Sequence, residues 1–186
     1  MLLAIHDRLP GQFADSDADL FIHWGERADL PASVYPLAEE SLVVVLSRDN
    51  PVRRLTAAEA QSIFTGRARN WTEFGGDDLA IQPWALADGS DAQAVFEDFL
   101  VGNGLLAAET RLAATLARML AEVDADPAAI AAVPAAWVTP DVRAIALGDS
   151  RPILVFSDEE PGGDAAALLA CLQGETGQVL LGEIYP

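Results

Sequence analysis

The sequence predicts an α/β fold, and three features of its pattern support that prediction. Apolar runs of strand length alternate with segments whose apolar residues recur at helical spacing. The run 42–46 (Leu-Val-Val-Val-Leu) is rich in β-branched residues and apolar on both faces, which suits a strand covered by helices. Two capping boxes mark helix starts, because Thr56 precedes Glu59 and Ser90 precedes Gln93 at the required spacing.

The first half of the chain is predicted to alternate between strands and helices. Residues 18–22 form the first strand and the run 42–46 the second. A helix begins after Thr56 and ends near Gly66, since glycine is common just past a helix end. A turn at 75–78 (Gly-Gly-Asp-Asp) then leads into a third predicted strand. That strand covers residues 79–84.

The second half continues the alternation. A helix capped by Ser90 carries Val95, Phe96 and Phe99 on one face and ends at Gly102. A helix over 105–123 follows, and Asp126 and Pro127 then open a short helical turn. Two strands are predicted over 142–147 and 153–156. The last helix covers 164–172, and Gly174 separates it from a second segment that carries Val179.

Composition limits the function classes. A chain of 186 residues predicts one domain or two small lobes. The 29 acidic and 11 basic residues give a net charge of −18, and every basic residue is arginine, so binding to nucleic acid is not expected. The single cysteine, Cys171, excludes an internal disulfide and is predicted to be a small buried hydrophobe.

Membrane and targeting signals are not predicted. The start of the sequence lacks a basic n-region, so it does not read as a secretory signal. The longest apolar stretch, 128–138, is interrupted by Pro134 and is too short to span a bilayer. Direct membrane insertion is therefore not expected.

Candidate catalytic and metal-binding residues are sparse. His6 and His23 are the only histidines and have no metal-ligand spacing. A calcium loop beginning at Asp15 is disfavoured because Leu20 occupies the position that requires glycine. Ser90 lacks a nucleophile elbow, so an N-cap role is favoured over catalysis. We therefore predict no catalytic residue, no metal site and no cofactor.

Several stretches resemble one protein family. They are 35–45 (Tyr-Pro-Leu-Ala-Glu-Glu-Ser-Leu-Val-Val-Val), 55–66 (Leu-Thr-Ala-Ala-Glu-Ala-Gln-Ser-Ile-Phe-Thr-Gly), 70–76 (Asn-Trp-Thr-Glu-Phe-Gly-Gly), 88–90 (Asp-Gly-Ser) and the ending 177–186. Together they are similar to the phosphate-type solute-binding proteins of ABC transporters, which have the two-lobed type II periplasmic-binding fold. The resemblance implies two lobes, each a small mixed sheet flanked by helices.

The resemblance also implies lobe boundaries. Residues 1–54 and 140–186 would form the first lobe, and residues 55–139 would form the second. Members of the family begin with a strand–helix–strand unit that carries ligand contacts, and no counterpart precedes Ala18. The first lobe is therefore expected to be incomplete.

The family's ligand loop reads Arg-x-Asp-Gly-Ser-Gly-Thr, and this chain departs from it at Leu86, Asp91 and Ala92. Loss of the arginine weakens anion binding by roughly 1.5–3 kcal/mol. A carboxylate at Asp91 repels an anion by an energy on the order of several kcal/mol. Phosphate is therefore disfavoured, and a tryptophan near the end of the first strand suits an apolar or aromatic ligand or a partner protein. The ligand contacts implied by the resemblance are His23, Trp24, Asp88, Gly89, Ser90 and Asp91.

Three functions follow from these observations. The first is a non-catalytic, extracytoplasmic solute-binding protein in the periplasm or at the cell surface, with a small-molecule solute and a membrane permease complex as partners. The second is an interaction or regulatory module that keeps the fold, binds a partner protein and has lost the solute. An enzyme has the least support, because no nucleophile–base pair is visible. Without a signal peptide in this sequence, a cytoplasmic location stays an alternative.

Overall fold

The computed structural model describes residues 17–26, 33–87 and 89–185. The chain forms two compact units, the first drawn from residues 1–40 and 150–186, the second Ser41–Asp149. It passes between the units at residues 40–41 and 149–150, whereas the predicted lobes change over near 54 and 140.

The described residues form a mixed sheet with helices, which confirms the predicted α/β class. Hydrogen-bonded neighbours follow the strand order β1-β6-β2-β5-β3-β4. The strands are β1 (Phe21–Trp24), β2 (Ser33–Ser47), β3 (Gln82–Leu86), β4 (Arg111–Ala113), β5 (Ala129–Pro134) and β6 (Val142–Ser157). The α-helices are α1 (Ala57–Phe64), α2 (Asp91–Phe96), α3 (Leu116–Ala125), α4 (Gly163–Gln173) and α5 (Glu175–Ile184). Short 3-10 helices cover Trp71–Phe74 and Ala135–Trp137, and a π-helical turn, Glu97–Val101, extends α2.

In the first unit, β1 lies antiparallel to the last residues of β6. Phe21 pairs with Phe156, and their rings stack with centroids 5.3 Å apart. Helix α5 is attached to the beginning of β2, because Gln178 Nε2 donates a hydrogen bond to the Leu37 carbonyl at 3.1 Å. Burial of these apolar strand residues supplies the local core.

In the second unit, β2 pairs antiparallel with β5, and β5, β3 and β4 run parallel to one another. Parallel strands need both faces covered. Helix α3 covers one face through Met119 and Val123, which are fully buried. Phe64 of α1 and Phe96 of α2 contact each other edge to face, with ring centroids 5.0 Å apart.

Helix α1 confirms the first predicted capping box. The Thr56 hydroxyl accepts a hydrogen bond from Glu59 N at 3.2 Å, and Glu59 Oε2 accepts one from Thr56 N at 2.7 Å. The helix ends one residue before the cap at Thr65, and Gly66 follows with a φ of +73° that favours glycine.

Two predictions for the second unit are wrong. The predicted helix over 105–123 is a loop followed by β4 and α3, because Thr115 caps a new helix after the strand. The helical turn predicted at Asp126 and Pro127 is instead a tight turn into β5, in which Asp126 Oδ1 accepts a hydrogen bond from Ala128 N at 2.9 Å.

Two predictions for the rest of the chain also need correction. The strands predicted over 142–147 and 153–156 are one continuous strand, β6. Cys171 is exposed rather than buried, since Leu169 is the one buried residue of the Ala- and Leu-rich helix α4. No helix among the described residues combines the length and apolar character needed to cross a bilayer.

Candidate functional site

The carboxyl ends of three parallel strands define one edge of the second unit. Leu86 at the end of β3 pairs in register with Ala113 at the end of β4, and Pro134 ends β5. Because β5 is parallel to β3, all three strand ends lie at the same edge. Ligands of open α/β sheets bind outside the carboxyl ends of strands, so this edge is the candidate site.

The loop from β3 to α2 is closed by its own hydrogen bonds. Ser90 is the N-cap, and its hydroxyl accepts a hydrogen bond from Gln93 N at 3.3 Å. The Gln93 side chain accepts a hydrogen bond from Gly89 N at 2.8 Å, one residue earlier than a capping box requires. Gln93 Nε2 then donates to Glu97 Oε1 at 2.8 Å. The backbone N–H groups of Gly89 and Gln93 are therefore both bonded within the loop.

Leu86 and Asp91, which differ from the ligand loop that the resemblance implies, lie at the end of β3 and in the first turn of α2. Leu86 is buried with Met119 and Leu120 in the core. Asp91 lies in the first turn of α2, and its Oδ1 atom is shielded from solvent. A carboxylate in this position stabilises the helix start and repels an incoming anion.

The other two loops at this edge are short. Thr115, after β4, caps α3 by accepting a hydrogen bond from Arg118 N at 3.2 Å. After β5, residues Ala135–Trp137 form a 3-10 turn that leaves Trp137 58% exposed. An exposed tryptophan is unusual for a residue that ordinarily contributes a large buried area.

His23 and Trp24 belong to the first unit and are buried on β1. They pair with Leu154 and Ile153 of β6. The Trp24 indole donates a hydrogen bond to the Glu40 carbonyl at 3.2 Å, which fixes the ring within its own unit. This bond satisfies the buried indole N–H.

The predicted ligand contacts are divided between the two units. Gly89, Ser90 and Asp91 share one loop of the second unit, while His23 and Trp24 lie in the first unit. Asp88 lies outside the described residues. No group of three His, Cys, Asp or Glu side chains within 17–26, 33–87 and 89–185 is arranged to hold a metal ion.

Sequence reasoning missed Thr115 and Trp137. Thr115 falls inside the helix predicted over 105–123, although threonine before a Leu-Ala-Arg stretch is an available N-cap signal. The run 129–133 (Ala-Ile-Ala-Ala-Val), which lies between Pro127 and Pro134, is a signal for a buried strand. Recognising that strand would have placed Trp137 in the loop that follows it.

The sequence model of a family described as "PBP superfamily domain" matches residues 15–161, and the chain belongs to that superfamily. The resemblance predicted from short stretches of sequence is thereby confirmed at the level of this superfamily.

Solved structures share the fold at low identity. A putative phosphate ABC transporter substrate-binding protein with bound phosphate from Clostridium perfringens is 19% identical, with a TM-score of 0.79 over 94% of this chain and 81% of that one. An ABC-type phosphate transport receptor from Vibrio cholerae is 20% identical, with a TM-score of 0.73 over 95% and 83%. A cysteine mutant of OxyR from Corynebacterium glutamicum is 16% identical, with a TM-score of 0.62 over 94% and 51%.

Proposed function

We propose that this chain is a non-catalytic, extracytoplasmic solute-binding protein of the ABC-transporter type whose β3–α2 loop does not bind phosphate tightly. Membership of the PBP superfamily and fold similarity to two phosphate receptors support the first part of the proposal. The second part depends on the closed loop at Gly89, Ser90 and Gln93.

The hydrogen bonds within the β3–α2 loop are the observation that disfavours phosphate as the ligand. An oxyanion site needs free backbone N–H groups at a helix start. Here Gly89 N donates to Gln93 and Gln93 N donates to Ser90, so two of those donors are occupied. The Asp91 carboxylate adds negative charge at the same turn. The solute of this protein is therefore expected to present something other than a phosphate to this loop.

The partner and location follow from the receptor assignment. A solute-binding receptor of this type works outside the cytoplasmic membrane and delivers its solute to a membrane permease. A net charge of −18 keeps such a protein soluble and away from anionic surfaces.

Calorimetric titration with inorganic phosphate tests the proposal. The wild-type chain is expected to show no binding at phosphate concentrations up to about 1 mM. The double variant Asp91→Gly, Ala92→Thr places the two residues of the family's loop at these positions and removes the Asp91 carboxylate, which repels an anion. It is expected to bind phosphate at least about tenfold more tightly than the wild-type chain, which corresponds to about 1.4 kcal/mol.

The matched control is Asp98→Asn, which removes an exposed carboxylate from the following turn and keeps the size of the side chain. It is expected to leave phosphate affinity unchanged. Micromolar phosphate binding by the wild-type chain would contradict the altered-loop proposal. A melting-temperature screen with small acids, amines and aromatic metabolites tests the receptor assignment itself, since ligands of the folded state raise the midpoint.

A second candidate function is an interaction module that keeps the fold without a solute. The observation that favours it is the row of exposed apolar side chains on α5, namely Val179, Leu180 and Ile184, each more than half exposed. Contiguous exposed apolar surface marks interaction sites. Light scattering of the wild-type chain and of Leu180→Ser tests it: a dimer that the substitution dissociates supports this candidate. A strict monomer that responds to a solute contradicts it.

A further inference from the structure

A groove in the second unit runs beside α3 and contains none of the residues of the β3–α2 loop. Its volume is about 630 Å³. The residues of this α3 groove that matter for binding are Leu116, Ala117, Leu120, Ala121 and Asp124 of α3, with Trp137 and Asp141 of the segment between β5 and β6. The volume is in the range of small-molecule sites.

One wall of the groove is apolar and the other carries an exposed tryptophan. Leu116, Ala117, Leu120 and Ala121 recur at the spacing that places residues on one face of a helix. Across from that face, Trp137 leaves more than half of its surface accessible to solvent. An apolar body fits between them, because burying it removes apolar surface from water on both sides.

The groove also carries negative charge. Asp124 and Asp141 are both exposed and both line it, and no arginine does. Among the described residues, neither carboxylate takes part in an ion pair. The arginine of α3, Arg118, is paired with Glu122 one turn further along the helix and lies outside the lining. The carboxylates are therefore available to a ligand.

We propose that the α3 groove binds an organic cation with an apolar or aromatic body. The apolar body would lie on the Leu116–Leu120 face of α3, and the carboxylates of Asp124 and Asp141 would attract the cation. The exposed Trp137 ring suits such a ligand, since cations are attracted to the face of an indole. Charge complementarity excludes an anion as the occupant, because the groove has two carboxylates and the whole chain a net charge of −18.

Calorimetry with three probes of one shape tests this proposal. The probes are 2-phenylethylammonium, neutral 2-phenylethanol and anionic phenylacetate, at one ionic strength. The cation is expected to bind at least about tenfold more tightly than the alcohol, and phenylacetate is expected not to bind. Added NaCl should weaken the cation's binding more than the alcohol's, because salt screens exposed charges.

Variants locate the site. The double variant Asp124→Asn, Asp141→Asn keeps the shape and is expected to abolish the preference for the cation over the alcohol. The matched control, Asp98→Asn with Asp158→Asn, removes the same charge at exposed positions outside the groove and is expected to leave the preference unchanged. Trp137→Leu is expected to weaken the cation's binding about twofold to thirtyfold.

Three outcomes would overturn the proposal. They are equal binding of all three probes, no binding of the ammonium probe at about 10 mM, and an equal loss of the preference for the cation over the alcohol in the groove variant and in its control. All five substituted positions are exposed, so the variants are expected to keep the wild-type melting temperature within a few degrees. The result is independent of phosphate binding at the β3–α2 loop, because the two sets of residues do not overlap.

Discussion

The buried side chain of Asn50 links two distant turns of the second unit by hydrogen bonds. It is 1% exposed, and both ends of its side-chain amide are bonded. Nδ2 donates to the Pro127 carbonyl at 2.9 Å, and Oδ1 accepts from Val52 N at 2.9 Å. The amide therefore links the turn after β2 to the turn before β5, 77 positions away along the chain.

Replacing Asn50 with aspartate is expected to destabilise the fold. An aspartate keeps the acceptor for Val52 N but places an oxygen against the Pro127 carbonyl. A buried acceptor left without a donor costs roughly 1–3 kcal/mol, and the new buried charge adds to that cost. Urea unfolding measures the loss. Asn103→Asp, at an exposed position, is the control, and equal losses in both variants would contradict the cross-link.

The charge on Glu59 predicts a pH dependence. Hydrogen bonds from the Thr56 backbone N–H, and then from its hydroxyl, lower the pKa of the Glu59 carboxyl below 4.5. A carboxyl whose pKa is lower in the folded state than in the unfolded state adds stability above the unfolded pKa, and that stability is lost as the pH falls through the folded pKa.

Glu59→Gln keeps a side-chain acceptor and removes the charge. At pH 7 we expect it to lower the free energy of unfolding by at most about 1 kcal/mol, because the pair is exposed. The difference from wild type should close as the pH falls below 4.5 and through the folded pKa of Glu59. Glu183→Gln, at an exposed position near the end of α5, is the control. If the difference in free energy of unfolding between the two proteins stayed constant down to acid pH, the charge of Glu59 would not be what stabilises the cap.

At the scale of elements, two glycines of α5 have opposite requirements. A Cβ on Gly177 would meet the Cys171 carbonyl oxygen and would lie 2.6 Å from that of Leu172, so the close approach of α5 to the end of α4 needs glycine there. Gly182, on the same helix, has room for a methyl group, since no atom lies within 4 Å of the position that a Cβ would take. The same substitution to alanine at these two positions of one helix therefore gives a matched comparison.

Gly177→Ala and Gly182→Ala are expected to shift stability in opposite directions. The first overpacks the α4–α5 junction and should cost about 1–3 kcal/mol. The second should add about 0.5–1 kcal/mol, because alanine is the better helix former. Thermal unfolding followed by circular dichroism compares them directly. Equal effects would show that the junction is less closely packed than described.

Local signals explain which elements sequence could predict. The cap at Thr56, the N-cap at Ser90 and the stop at Gly102 depend on neighbours within a few residues, and all are present. Strand β4 is only three residues long and is stabilised by its pairing with β3, so nothing in its own sequence distinguishes it from a helix. Strand β5 differs from β4 in this respect, because its apolar run between Pro127 and Pro134 is itself a strand signal, which pairing with β2 and β3 reinforces.

At the scale of the whole molecule, charge dominates the behaviour expected in solution. A net charge of −18 with no lysine leaves most carboxylates without a basic partner, and such a surface repels itself. The class of fold could be predicted from sequence, because it followed from the alternation of apolar runs. The geometry at the β3–α2 loop did not, because the bond from Gly89 N to Gln93 depends on a backbone turn that no spacing rule specifies.

Sodium chloride is expected to raise the melting temperature at pH 7. The screening length falls from about 30 Å at 0.01 M to about 3 Å at 1 M, so added salt weakens repulsion between exposed carboxylates. The gain should shrink near pH 4.1, where the net charge approaches zero. A melting temperature that falls with salt at pH 7 would mean that attractive ion pairs outweigh the repulsion.

The exposed thiol of Cys171 makes the chain chemically addressable at one point. Since no second cysteine competes, a maleimide dye or spin label attaches to α4 of the wild-type protein and gives a homogeneous conjugate. The same thiol lets two molecules join covalently during storage in air. Any dimer attributed to the apolar row on α5 must therefore survive a reducing agent before it counts as self-association.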